Sequence, residues 1–171
     1  MHADLRDGYL GEHYSHAAAM RRVLDHQGVR LVQAGIRAMC REEADCEKNR
    51  SRIDLHLGLE QRQWDLARMM APLKGKPVYI TVDIDGLDGS IMPATGRRRR
   101  GLDYLTTLAI LRGACEAGKV VGMDLVELAP IEGCTPTTSW PRNWRRRCST
   151  MRCRGRGWVS RGDACAICGR G

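Results

Sequence analysis

The chain has 171 residues, of which 43% are hydrophobic, and it carries a formal net charge of +8. This length predicts one domain with a buried core, and no apolar run approaches the length of a membrane span, which excludes a transmembrane protein. No basic segment followed by an apolar stretch opens the chain, so we expect a cytoplasmic protein whose eight cysteines are thiols rather than disulfides.

The positive charge is concentrated in two short regions. Residues 134–171 contain nine arginines and a single acid, Asp163, whereas residues 1–133 contain 19 basic and 19 acidic side chains. Within the neutral part, Arg97–Arg100 places four positive charges in a row. The net charge therefore has two local sources, and by itself it predicts neither a nucleic-acid partner nor a membrane partner.

Helices and strands are predicted to alternate along the chain, because apolar residues recur at helical or strand spacing between caps, glycines and prolines. In chain order the elements are a helix from Ser15 to Gly28, a strand at 29–35, a helix at 57–71, a strand at 77–85, a helix from Asp103 to Gly118 and a strand at 119–128. The apolar runs of the strands are nearly continuous, which is typical of a parallel sheet covered on both faces in an α/β protein.

Acidic residues are concentrated where the predicted strands end. Asp83 and Asp85 end one strand, and Glu127 ends another. The opening stretch "MHADLRD" adds His2 and Asp4, and it resembles the tail of a further strand. In open α/β sheets ligands bind beyond the carboxyl ends of the strands, so this edge is the predicted site.

The chemistry of these side chains favours a cation. The Asp83 and Asp85 carboxylates, two residues apart, repel each other unless a positive charge compensates them. One imidazole and three carboxylates suit Mn²⁺, with Mg²⁺ and Zn²⁺ as alternatives. The competing interpretation is a solvated strand end whose acids cap a turn or a helix. Other titratable residues are interpreted as structural or surface groups: Asp88, Asp124, His13, His26 and His56.

Four motifs carry a resemblance to a known family. In chain order they are "MHADLRDGY", "YSHAAAM", "VDIDGLDGSIMPATG" and "MDLVELAP", with "LVQAGIRAMCREE" lying between the second and the third. This order resembles the ureohydrolases (arginase, agmatinase and relatives), and the agmatinases most closely, from residue 1 to about residue 133. The resemblance implies a three-layer α/β/α, arginase-like fold with a mainly parallel sheet, incomplete in this chain.

The resemblance also implies a site and a reaction. The implied ligands of a centre with two manganese ions are His2, Asp4, Asp83 and Asp85. Asp83 would bridge the ions, His16 would give a proton to the leaving amine, and Glu127 would hold the guanidinium group. The implied substrate is agmatine or a related guanidino compound, cleaved to urea and putrescine in polyamine biosynthesis, and the family forms homo-oligomers. Without the resemblance, His16 is interpreted as a surface or capping group and Glu127 as a salt-bridge partner.

Two departures from the family pattern bear on activity. The family has an aspartate ligand two residues before the position of His2 and a histidine ligand further upstream, and neither has a counterpart in this sequence. One of the two metal sites is therefore expected to be weak and the activity impaired. Arg97–Arg100 follows "PATG" where the family has a Thr-Pro-x-Pro-Gly-Gly-like loop, and four guanidinium groups would repel a cationic substrate.

The sequence changes character after Gly133. We divide it into a partial metallohydrolase domain at 1–133 and an Arg/Cys-rich tail at 134–171. Three interpretations of the tail stay open, namely a shifted reading frame, a disordered basic segment and a zinc module. The cysteines behind the last interpretation are Cys148, Cys153, Cys165 and Cys168. The alternative functions are accordingly a non-catalytic remnant and a zinc-binding or nucleic-acid-binding module.

Overall fold

The computed structural model describes residues 1–48, 51–92 and 101–128. In chain order these form α1 (Ala19–Asp25), β1 (Leu31–Ile36), α2 (Arg41–Lys48), β2 (Ile53–Leu57), α3 (Leu66–Met70), β3 (Pro77–Asp83), α4 (Tyr104–Ala117) and β4 (Lys119–Val126). Short 3-10 helices lie at His16–Ala18, Gly58–Gln63, Ala71–Leu73 and Ile84–Gly86. None of the helices in these ranges is long and apolar enough to cross a membrane.

The described strands form two parallel pairs. β1 pairs with β2 from Leu31 opposite Ile53, and β3 pairs with β4 up to Asp83 opposite Val126. The first residues of the chain continue this pattern, since His2 forms a parallel bridge beyond the end of β1. Parallel pairing and the alternation of strands with helices confirm the predicted α/β class.

The largest core cluster lies between one face of β3 and the helices α3 and α4. Its buried members are Met69, Met70, Val78, Ile80, Val82, Leu111 and Ala114. Val32 and Ala34 of β1 pack against the same cluster, so both strand pairs contribute to one core. Burial of these side chains away from water supplies most of the driving force for docking the helices on the strands.

Two smaller clusters hold the acidic segments in place. Ala3 and Leu5, on either side of Asp4, are 0% and 1% exposed and belong to a cluster with residues of α1, β1 and β2. Ile84, between Asp83 and Asp85, is 0% exposed and belongs to a third cluster. Apolar neighbours therefore anchor the backbone at each acidic stretch.

One expectation about the sheet differs from the structure. Continuous apolar runs predicted cover on both faces, but β3 alternates between buried and exposed residues. Tyr79 of β3 is 62% exposed and Val121 of β4 is 63% exposed. The difference arises because α3 and α4 both pack on the opposite face.

The helix predicted at 57–71 is wrong over most of its length. Leu57 ends β2, and Gly58–Gln63 forms a 3-10 helix. Trp64 and Asp65 are extended, and α3 begins at Leu66. Asp65 caps this helix, its side chain accepting a hydrogen bond from the Arg68 N–H at 3.1 Å. The prediction also missed two elements, α2 and β2.

The helix predicted from Asp103 to Gly118 is confirmed. Asp103 caps α4, with its Oδ1 accepting the Thr106 N–H at 2.7 Å, and the helix ends at Ala117 before Gly118. The predictions for Arg97–Arg100 and for the tail at 134–171, including its cysteines, lie outside the described residues.

Candidate functional site

The first residues run along the end of β1. The Arg37 N–H donates to the Met1 carbonyl at 3.1 Å, and the buried Gln33 side chain donates to the Ala3 carbonyl at 2.8 Å. Directly after the second contact, Asp4 has a φ of 55°, in the left-handed region that non-glycine residues seldom adopt. Backbone contacts to β1 therefore determine where His2 and Asp4 lie.

The end of β3 turns at once into a 3-10 helix. Asp83 is the last strand residue, and its Oδ1 accepts the Asp85 N–H at 2.9 Å as a cap. The bend moves Asp85 off the strand, so the two carboxylates do not share one face as they would on a continuous strand. Instead they flank the turn at the strand end.

The chain's first segment and the β3 turn meet at Asp85. The Met1 amino group lies 2.7 Å from Asp85 Oδ1, and both groups are largely buried. The Arg37 guanidinium donates to the Asp85 backbone carbonyl. Two cations from the β1 side of the fold therefore face the acidic turn after β3.

The three predicted carboxylate ligands have shifted pKa values, and each shift includes a contribution from at least one other predicted ligand. Burial, followed by the charge of Asp85, raises the pKa of Asp83 to about 7. Burial also raises the pKa of Asp4, with His2 opposing the shift and Asp85 adding to it. Burial would raise the pKa of Asp85 too, but the Met1 ammonium outweighs it and leaves that pKa lowered. Carboxylates this close are costly to ionise together without a compensating cation.

His16 lies beside the same group of side chains. It begins the 3-10 helix at His16–Ala18 and is exposed, with its ring edge-on to Tyr9 at a centroid distance of 5.6 Å. Its charge lowers the pKa of Asp4. The structure therefore brings His16 near the predicted ligands.

Glu127 stands at the same sheet edge. It is the first residue after β4, and Val126 before it pairs with Asp83. Its φ of 60° marks a sharp change of chain direction. The side chain is exposed, so it is open to a ligand arriving at this edge.

The four predicted ligands, His2, Asp4, Asp83 and Asp85, have the chemistry that a hard divalent cation prefers. Their side chains do not lie close enough together to hold one. A half-buried carboxylate with a strongly raised pKa, here Asp83, is a group that such an ion stabilises. Among residues 1–48, 51–92 and 101–128, however, no three His, Cys, Asp or Glu side chains form a group that could hold a metal ion. Binding at His2, Asp4, Asp83 and Asp85 therefore requires these side chains to move closer together.

The sequence did not point to a buried acid that contacts the first segment. Glu43 of α2 is 4% exposed, and its two oxygens accept the Leu5 N–H at 3.0 Å and the Cys40 N–H at 2.8 Å. The signal available was a pair of acids, Glu42 and Glu43, in the first turn of a helix. It was missed because α2 itself was not predicted.

The residues interpreted as structural or surface groups mostly meet that description. Asp88 is a turn acceptor, with Oδ1 accepting the Ser90 N–H at 3.0 Å. Asp124 lies within β4 and accepts a hydrogen bond from Tyr79, so it is a strand residue rather than a turn or helix cap. His13 and His26 are exposed as expected, but His56 is partly buried on β2 because its ring packs edge-on to Trp64.

Residues 1–140 match the Arginase family. The chain is 36% identical over 135 residues to the N(1)-aminopropylagmatine ureohydrolase of Synechocystis sp., covering 77% of this chain and 44% of that protein. It is 35% identical over 139 residues to the agmatinase of Bacillus anthracis, covering 76% of this chain and 45% of that protein. The chain thus spans less than half the length of these curated relatives.

The fold comparison agrees with the sequence comparison. The agmatine ureohydrolase of Thermoplasma volcanium superposes with a TM-score of 0.67 at 28% identity, covering 84% of this chain and 50% of that one. The resemblance predicted from the four motifs, and the incomplete arginase-like α/β fold that it implied, are both confirmed.

Proposed function

The chain belongs to the arginase family, and on that premise we propose that it carries the metal-binding part of an agmatinase-like ureohydrolase, an enzyme that hydrolyses guanidino compounds to urea and an amine. The observation that carries the proposal is the contact of the first segment, which contains His2 and Asp4, with the Asp83–Asp85 turn. The two meet at Met1 and Asp85, which are 84 residues apart in the chain.

The residues that would hold manganese are His2, Asp4, Asp83 and Asp85. Asp83, with its raised pKa, is the carboxylate that gains most from a neighbouring cation. When bound, the ions supply a water made nucleophilic near neutral pH and a positive charge beside the reacting carbon.

Two of the chain's own residues complete the reaction. Glu127, exposed at the edge beside Asp83, accepts hydrogen bonds from the planar guanidinium group of the substrate. The amine cannot leave as an anion, and His16 would act as the general acid that gives it a proton. An electrostatic effect of His16 on the Asp4 carboxyl, whose pKa it lowers, supports this role.

We propose agmatine as the substrate, with putrescine and urea as products, in cytoplasmic polyamine biosynthesis. The names of the relatives include agmatinase and N(1)-aminopropylagmatine ureohydrolase, whose substrates share a guanidino group and differ at the far end. The protein would act on this small cation as a homo-oligomer, without a nucleic-acid or membrane partner.

The experiment is urea release from agmatine with added Mn²⁺, measured for this chain and for a version extended upstream by the missing ligand motif. We expect release by the extended version and weak or no release by the present chain. Asp83→Asn in the extended version should abolish release, because the amide keeps the cap on Asp85 but loses the charge. Asp65→Asn, which changes the cap of α3 away from the site, is the matched control. An inactive extended version would overturn the proposal.

A further inference from the structure

We infer that Glu43 is a positioning residue for Asp4. Its carboxylate holds the backbone immediately after Asp4 and so determines where the Asp4 side chain stands. The consequence for metal binding rests on the proposed function, in which Asp4 is a ligand. The contact itself is independent of that role.

The contact is buried and joins distant parts of the chain. Glu43 is 4% exposed, and its Oε1 accepts the Leu5 N–H at 3.0 Å across 38 residues. Its Oε2 accepts the Cys40 N–H at 2.8 Å, which ties the same carboxylate to the start of α2. Hydrogen bonds from backbone amides to a buried carboxylate are among the stronger ones in proteins. Glu43 therefore fixes Leu5 to a rigid element.

Asp4 needs such a restraint because its backbone is in an unfavourable conformation. Its φ of 55° is in the left-handed region, which persists only where the surroundings determine it. Gln33 holds the residue before it, through the Ala3 carbonyl at 2.8 Å, and Glu43 holds the residue after it. The Arg21 N–H also donates to the Asp4 carbonyl at 3.0 Å, so Glu43 is one of three restraints and the one that acts on the residue after Asp4. Removing it frees the backbone on that side and leaves the direction of the Asp4 carboxylate less well defined.

Glu42 provides a matched comparison one residue away. It carries the same charge on the same helix and also binds the first segment, its Oε1 accepting the Asp7 N–H at 3.0 Å. Glu42 is exposed, however, and makes this contact with one oxygen. A glutamine at 42 keeps that acceptor. A glutamine at 43 keeps only one of two acceptors and turns an NH₂ group towards the other backbone N–H, which is unfavourable.

The test compares Mn²⁺ affinity, measured by titration calorimetry, with amide hydrogen exchange at Leu5. Wild type, Glu43→Gln, Glu42→Gln and Ile53→Val are measured, the last being a conservative core change in the cluster that contains Leu5. We expect Glu43→Gln to bind Mn²⁺ about 10-fold more weakly, the size typical for loss of a residue that orients a metal ligand. Its Leu5 amide should also exchange faster. Glu42→Gln and Ile53→Val should keep the wild-type affinity.

Each result decides the inference. Wild-type affinity and wild-type Leu5 exchange in Glu43→Gln would overturn it. Equal loss of affinity in Ile53→Val would also overturn it, because affinity would then follow general stability. If wild type binds no Mn²⁺, the proposed metal site fails, whereas the inference still stands or falls on whether Leu5 exchanges faster in Glu43→Gln than in wild type.

Discussion

Gly101 lies so close against Leu87 that a Cβ atom on Gly101 would come within 2.2 Å of the Leu87 carbonyl carbon and oxygen. The Gly101 N–H donates to Asp88 Oδ2 at 3.1 Å, and Leu102 forms a parallel bridge with Leu87. These contacts fasten the start of α4 to the segment that follows the Asp83–Asp85 turn. The segment that follows the acidic turn is thus held by the close contact of Gly101 with Leu87, which only glycine permits.

Gly101→Ala should therefore destabilise the fold by about 3 kcal/mol, since the new methyl group meets backbone atoms that cannot rotate away. Gly89→Ala, next to Asp88, has no heavy atom within 4 Å of its new Cβ and should change stability by less than about 0.5 kcal/mol. Urea denaturation of both variants measures the difference. Equal stabilities of the two variants would contradict this prediction and would mean that the backbone of Leu87 and Asp88 shifts to make room for the methyl group.

The predictable parts of the fold are those whose signals are local. Asp103 and Gly118 bound α4 because a side-chain cap and a helix stop act within one turn. The acids after β3 were predicted to mark a site because they follow an apolar strand directly. A strand end and a cap each depend on a few neighbouring residues, so sequence alone suffices for them.

The unpredicted parts depend on distant partners. α2 contains few apolar residues, and its contacts to the first segment run from Glu42 and Glu43 to backbone amides over 30 residues away. The composition of residues 57–71 favours a helix. Leu57 nevertheless pairs with Ile36 of β1, and the extended residues Trp64 and Asp65 separate the 3-10 helix at Gly58–Gln63 from α3. Tertiary pairing overrides propensity in such segments.

The cap of α4 should give a pH-dependent contribution to stability. The Thr106 N–H bound to Asp103 lowers the pKa of the Asp103 carboxyl below 3.8. A lowered pKa means that the stabilisation is present above about pH 3.8 and is lost as pH falls through the folded-state pKa. Asp103→Ala should cost about 1 kcal/mol at pH 7, and Asp103→Asn much less. In urea titrations the cost of the alanine change should shrink towards pH 3; an unchanged cost would show that charge plays no part in the cap.

His56 should contribute a dependence of the same sign in a higher pH range. Burial, with Asp54 opposing, lowers the pKa of His56 below 6.5, so the unfolded chain takes up the proton first. The contribution of the neutral His56 ring to folding stability is complete above about pH 6.5 and is lost as pH falls through the folded-state pKa of His56. Arg68 and Glu60 also face the ring, with opposite effects. Between pH 7.5 and 5, His56→Gln should lose less thermal stability than wild type, whereas His26→Gln, at an exposed position, should follow wild type. A His56→Gln curve parallel to wild type would exclude this role.

The candidate metal centre predicts a difference between two histidines in the same segment. His2 adjoins the buried carboxylates and opposes the raised pKa of Asp4, whereas His13 is exposed and lies 3.9 Å from Asp7. His2→Ala removes an imidazole donor, and we expect Mn²⁺ affinity by titration calorimetry to fall by at least about 10-fold. His13→Ala should leave it unchanged, although both variants lose the same imidazole. Equal Mn²⁺ affinities of His2→Ala and His13→Ala would show that His2 is not a ligand. Both substitutions remove one imidazole, so a general effect of charge would lower both affinities alike.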